Sequence, residues 1–158
     1  MITSTNHLND ARAMSITADG QIAEQLFQHY HEKLLGMPKV LELLRSQGID
    51  DAQIFHKYMG YSDRSLNKVL PGARTALGGF VRGRLQAMQL LRKSGHEVFA
   101  GCVVEPCFDL NGMVCSACGV RFRRQASRAR PRMVFWYRAG IYYAPFEFLL
   151  PKMGGYYA

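Results

Sequence analysis

Residues 99–122, FAGCVVEPCFDLNGMVCSACGVRF, decide the fold class. Two runs rich in Val, Phe and Cys, Phe99–Phe108 and Met113–Phe122, flank Asp109-Leu110-Asn111-Gly112. An Asp-to-Gly or Asn-Gly turn between two apolar runs is the strongest short-range hairpin signal. Pro106 cannot donate to a strand ladder, so it predicts an edge position or a bulge in the first strand.

Upstream of the hairpin the period changes from two to that of a helix. Ile22, Leu26, Tyr30 and Leu34, with Phe27 beside them, recur on one face, which predicts a helix over 20–35 after a polar lead-in over 1–19. Pro38 opens a second short helix closed by Gly48. Asp50 or Asp51 caps a third, whose Ile54, Phe55, Tyr58 and Met59 form the apolar face and which Gly60 stops. Residues 61–79 read as a connector with one turn near Leu66, and 80–93 as a further helix ended by Gly95. Beyond Arg121 no helix or strand period is legible. The pattern predicts an α+β fold, a small bundle of short helices packed on a β-hairpin or small antiparallel sheet. It divides into a lead-in (1–19), a body (20–122) and a basic, aromatic C-terminal segment (123–158).

The chain has 158 residues, 48% of them hydrophobic and 20% charged, which suits one globular domain and argues against global disorder. Its formal net charge of +8 is unevenly spread. Residues 1–120 carry 12 basic and 11 acidic side chains, whereas 121–158 carry 8 basic ones against Glu147 alone. Arg121, Arg123, Arg124, Arg128, Arg130 and Arg132 are followed by Phe135, Trp136 and Tyr137. Arginines neutralise phosphates and rings stack on bases, so this segment is a candidate surface for single-stranded nucleic acid. A solvated tail, a docked apolar element or an end produced by truncation or frameshift are the alternatives. The N-terminus lacks the apolar run of a secretory signal, and no 18-residue charge-free stretch occurs, so a cytoplasmic location without a membrane span is expected.

Cys102, Cys107, Cys115 and Cys118 invite a four-thiolate zinc site, because Cys115 and Cys118 have C-x-x-C spacing. The other arm does not match: an extended strand holds Cys102 and Cys107 about 16 Å apart. Buried strand thiols are therefore the expected state and zinc the alternative. His29 and His31 point to different sides of their helix, and no histidine or cysteine has the acid and base neighbours of a nucleophile.

Several phrases together resemble a known family. Tyr30, Leu34, Leu35 and Leu41–Gly48 are similar to an opening helix pair ending in L-x-x-R-G-hydrophobic; Phe55, Gly60, Tyr61 and Ser62 resemble F-x-x-G-Y-A/S. Phe99, Val103, Val104, Pro106, Phe108, Asp109, Gly112, Gly119 and Arg121 resemble a hairpin followed by G-G-R or Y-G-R. The family is that of bacterial and phage-type DNA primases, and the similar part is the N-terminal subdomain of the catalytic core, which precedes the TOPRIM fold. The resemblance runs from about Gln25 to Arg121; Val120 and Glu105 depart from the pattern. It implies a groove that receives single-stranded template, with Arg121 the best-matched contact. Arg82, Arg84, Arg92 and Lys93 lie in the adjoining helix without a family signature.

Primase chemistry needs divalent ions held by clustered carboxylates, yet the sequence has no Asp-x-Asp, and Glu147 is the sole acid after Asp109. The expected function is that of a primase-like, single-stranded-DNA-binding protein of a replication or mobile-element context. It is expected to be inactive alone and, beside single-stranded DNA, to have as partner a protein carrying the TOPRIM half or other replication proteins. The alternative is a zinc-stabilised protein-interaction module without enzymatic activity.

Overall fold

A computed structural model describes residues 4–122, 127–128, 131–139 and 146, with side chains from residue 18 onward. Its elements follow in the order α1 (Ser4–Leu35), α2 (Pro38–Ser46), α3 (Asp51–His56), β1 (Gly60–Tyr61), α4 (Leu66–Val69), α5 (Ala76–Ala87), β2 (Cys102–Phe108), β3 (Val114–Arg121) and β4 (Met133–Tyr137). The strands form one antiparallel sheet in the order β1-β2-β3-β4. The fold is α+β, as the periodicities predict. No helix among the described residues is long and apolar enough to cross a membrane.

Both faces of the sheet are covered, which is why every residue of β3 is buried. Successive strand residues point to opposite faces. Val104, Ala117 and Trp136 enter one core with Leu26, Phe27 and Tyr30 of α1 and Leu85 of α5. Val103, Cys118 and Val120 enter a second with Leu34, Leu44 of α2 and Ile54 of α3. β1 reaches only Val103 and Val104, so it has ended before Pro106, and the missing N–H of that proline costs no bond on that side. At the turn, Asp109 Oδ1 accepts from the backbone N–H of Asn111 (2.8 Å) and Met113 (3.0 Å), and Gly112 takes φ 76°.

Four boundaries differ from the sequence reading. The expected lead-in is helical from Ser4, consistent with the absence of Pro or Gly before Gly20. The third helix ends at His56, with Lys57 as its C-cap before Tyr58 takes φ 56°; Asp50 is its N-cap, forming a capping box with Gln53. The helix expected over 80–93 runs instead from Ala76 to Ala87. Thr75 caps it by accepting from the Gly78 N–H at 3.0 Å, and Gln89 at φ 63° turns the chain out before Gly95. The segment after Arg121 contributes β4, paired to β3 from Ser116↔Tyr137 to Val120↔Met133. Alternation was hidden there because Phe135 and Tyr137 occupy the outer positions while Trp136 alone is buried.

Gly60 is required by packing, not by helix termination. An added Cβ would lie 2.6 Å from Tyr30 Cβ, 2.7 Å from the Tyr30 carbonyl carbon and 2.8 Å from the His31 nitrogen. Two of those atoms are α1 backbone and cannot swing away. Gly60→Ala is therefore expected to cost about 1–3 kcal/mol of stability, the usual range for overpacking. Chemical denaturation would show this as a lower midpoint at unchanged slope; an unchanged midpoint would mean that α1 and β1 are not so tightly apposed.

Candidate nucleic-acid interface

A cleft of about 280 Å³ opens where the end of β1, the turn after α5 and the end of β3 converge, lined by Arg64, Asn67, Arg92, His96, Glu97 and Arg121 among others. Its floor is Glu97, 5% exposed. Glu97 Oε1 accepts from Tyr30 Oη at 2.8 Å and from Ser62 Oγ at 2.9 Å, so a buried carboxylate is stabilised by two buried donors. Burial, and then the Glu97 charge, push the Tyr30 hydroxyl well above its ordinary pKa, which keeps its proton in place as a donor.

Backbone structure fixes the walls. Ser62 extends β1 by donating to the Cys102 carbonyl (3.0 Å) and accepting from the Gly101 N–H (2.9 Å). Arg64 follows at φ 67°, in the left-handed region that a branched or long side chain seldom adopts. It is held there by its neighbours: Asp63 accepts from both the backbone and the hydroxyl of Ser65, which also contacts His29 Nε2 at 3.1 Å. Burial pushes Asp63 up, but the Ser65 hydrogen bonds and the Lys33 charge outweigh it and hold the carboxyl below its usual range. The exposed Arg64 side chain is thus carried by a constrained loop.

Arg121 is 1% exposed. Its Nε donates to Ala100 O at 2.8 Å, Nη1 to Pro131 O at 2.6 Å and Nη2 to Val98 O at 3.0 Å. The guanidinium ties the hairpin to the preceding turn and to the approach of β4, while its charge contributes to the cleft. Three arginines against one carboxylate leave the cleft with an excess of positive charge. Such an arrangement can accept an anion of phosphate type. It offers one carboxylate, not the cluster that a two-metal phosphoryl-transfer site uses.

The other residues expected at the interface are dispersed. Trp136 is 4% exposed, donates from Nε1 to Met88 O at 2.7 Å and packs 5.7 Å from Phe27, centroid to centroid. The base-stacking role expected of it does not fit a core ring. Arg84 forms a bidentate pair with Asp19 (2.7 Å for each bond), and Arg82 donates to the carbonyls of Pro71 and Gly78. Both brace α5 against its surroundings. Arg128 is exposed and Arg132 half-buried, whereas Arg123, Arg124 and Arg130 lie outside the described residues. Arg64, Asn67 and Glu97 escaped the sequence reading, and Tyr30 and Ser62 were read for helix packing and for a family phrase but not as site residues. The one signal available was that Arg64 stands two residues after the Gly60-Tyr61-Ser62 phrase.

Cys102 pairs with Arg121 and Cys118 with Glu105, and burial pushes both thiols up to about 12. Among the described residues no group of three or more His, Cys, Asp or Glu is placed to hold a metal ion.

No protein-family model matches the sequence, and no curated protein matches it. Solved structures do. The chain superposes on the primase catalytic core of E. coli with TM-score 0.60 and 18% identity, over 78% of this chain and 40% of that one. For the zinc-binding and RNA polymerase domains of the Aquifex aeolicus primase the values are 0.63 and 21%, over 82% and 31%. For the catalytic domain of DnaG primase bound to single-stranded DNA they are 0.64 and 18%, over 83% and 42%. The chain thus spans less than half the length of each of these structures, and what it shares with them is the fold of part of a DnaG-type primase catalytic core.

Proposed function

We propose that this chain is a primase-like domain that binds single-stranded DNA through the Arg64–Arg92–Arg121 cleft and carries no nucleotidyltransferase centre within these residues. The observation that carries the reading is the convergence of three arginines on a cleft whose floor is an already satisfied carboxylate. A backbone phosphate answers that charge pattern, and neighbouring phosphates fit the flanking basic side chains. The likeness in fold to a primase domain bound to single-stranded DNA supports the same ligand class. On this reading the chain is the subdomain that precedes the TOPRIM fold, and a partner or further segment supplying clustered carboxylates would complete a primer-synthesising unit. A replication or mobile-element setting follows from that role. The cysteines serve as strand thiols, and no zinc is needed.

Fluorescence anisotropy with a labelled single-stranded oligonucleotide, over a series of salt concentrations, tests the reading. Saturable binding is expected, with an affinity that falls log-linearly with salt by about 0.7 per phosphate contact. Added template, Mg²⁺ and nucleotides should yield no primers from the chain alone. Absence of saturable binding at low salt would sink the DNA assignment, and primer synthesis by the purified chain would sink the assignment of an incomplete centre.

A further inference from the structure

The register of the hairpin singles out one pair of thiols. Between Cys107 and Phe108 the ladder shifts: Cys107 pairs with Ser116, Phe108 with Val114, and Cys115 is the extra residue. A bulge of this kind sets two residues of one strand against one of the other. Cys115 and Ser116 therefore both oppose Cys107. The Cys115 thiol lies 3.3 Å from the Cys107 carbonyl oxygen and 4.0 Å from Ser116 Oγ. Directly opposed residues on antiparallel strands have Cα atoms about 4.5–5.5 Å apart, inside the range of about 4.4–6.8 Å that disulfides span. Cys102 and Cys118 face Arg121 and Glu105, with no thiol opposite either. Cys107 is half-buried, and Cys102 and Cys118 are fully enclosed.

We infer that Cys107 and Cys115 form a reversible oxidation site, closing a cross-strand disulfide at the bulge when the chain meets a low-molecular-weight disulfide. The Cys107 thiolate attacks one sulfur of the oxidant RSSR and expels RS⁻, giving a protein–SR mixed disulfide. The Cys115 thiol loses its proton to solvent, and its thiolate attacks Cys107 Sγ and expels the second RS⁻. Two protein thiols are oxidised, and RSSR is reduced to two RSH once the expelled thiolates take up protons. Burial, with the neighbouring Cys115, raises the Cys107 pKa above its ordinary value, so the exchange accelerates as pH rises through the thiol range. The bond would pin the bulge from which the Cys115 carbonyl accepts the Arg138 N–H at 2.8 Å, and so the end of β4.

The test uses the full chain, reduced and then held under native conditions with oxidised glutathione. It is next acid-quenched, denatured and labelled with a maleimide for intact-mass measurement. The four cysteines of the reduced chain take four labels; after oxidation two labels and no retained glutathione are expected. Cleavage at Asp109 should leave the peptide bearing Cys107 and the peptide bearing Cys115 joined until a reductant is added, with fragmentation of the joined pair placing the bond on Cys107 and Cys115 and not on Cys102 or Cys118. Cys107→Ser and Cys115→Ser should each abolish closure, so that every remaining thiol carries either a label or glutathione. Four labels on the oxidised wild-type chain, a bond mapped to Cys102 or Cys118, or closure that survives Cys107→Ser would each overturn the inference.

Discussion

Replacing Trp136 with alanine is expected to lower the stability of the chain by about 3–5 kcal/mol, the range for truncating a large buried aromatic. The ring is 4% exposed, sits against Phe27 and anchors β4 to the end of α5 by donating to the Met88 carbonyl at 2.7 Å. Alanine would leave a cavity between α1 and the sheet and an unpaired carbonyl at a helix end. For a domain of this size the loss amounts to a large share of total stability, so the variant should unfold at markedly lower denaturant concentration. Trp136→Phe keeps most of the packing and loses the hydrogen bond, and should fall between the two. A Trp136→Ala variant with wild-type stability and weakened DNA binding would return the ring to the role of an exposed stacking platform.

That contrast shows where sequence was informative and where it was not. The hairpin was legible because its signals are local: Asp109 and Gly112 make the turn by themselves, and the flanking Val and Phe residues favour strands. The face of α1 carrying Leu26, Phe27, Tyr30 and Leu34 was legible for the same reason, since its spacing is set by one helix. β4 was not, because Met133–Tyr137 is a strand only by virtue of β3 beside it, and arginines on either side resemble a solvated tail. Gly60 read as a helix stop because its reason, the backbone of Tyr30, lies 30 residues away in sequence. The candidate site suffered most from this nonlocality. Arg64, Arg92, Glu97 and Arg121 come from three separate stretches, and nothing in any one of them announces the others. Conversely, Arg82 and Arg84 look like a basic helix face in sequence but are engaged by carbonyls and by Asp19. Net charge located the most basic segment; it could not say which arginines bind within the protein and which face outward.

The cleft makes the second large prediction. Arg64 and Arg92 are exposed at its rim, whereas the Arg121 guanidinium donates to three backbone carbonyls. Substituting the rim pair should remove ligand contacts while sparing the fold; substituting Arg121 should strip donors from buried carbonyls and damage the fold itself. If each rim arginine meets one phosphate, Arg64→Gln with Arg92→Gln should reduce the log–log salt slope for single-stranded DNA by about 1.4, twice the value of about 0.7 per contact. Charged hydrogen bonds contribute about 1.5–3 kcal/mol each, so affinity should fall by roughly tenfold or more for each arginine lost. The denaturation midpoint of the double variant should stay close to that of the parent, because surface substitutions away from buried features change stability by about 0.5 kcal/mol or less. Glutamine retains a donor but not the charge, which separates electrostatic contact from hydrogen bonding. A double variant that bound DNA with undiminished affinity and slope would remove the cleft from the interface and leave the arginines beyond Phe122 as its carriers.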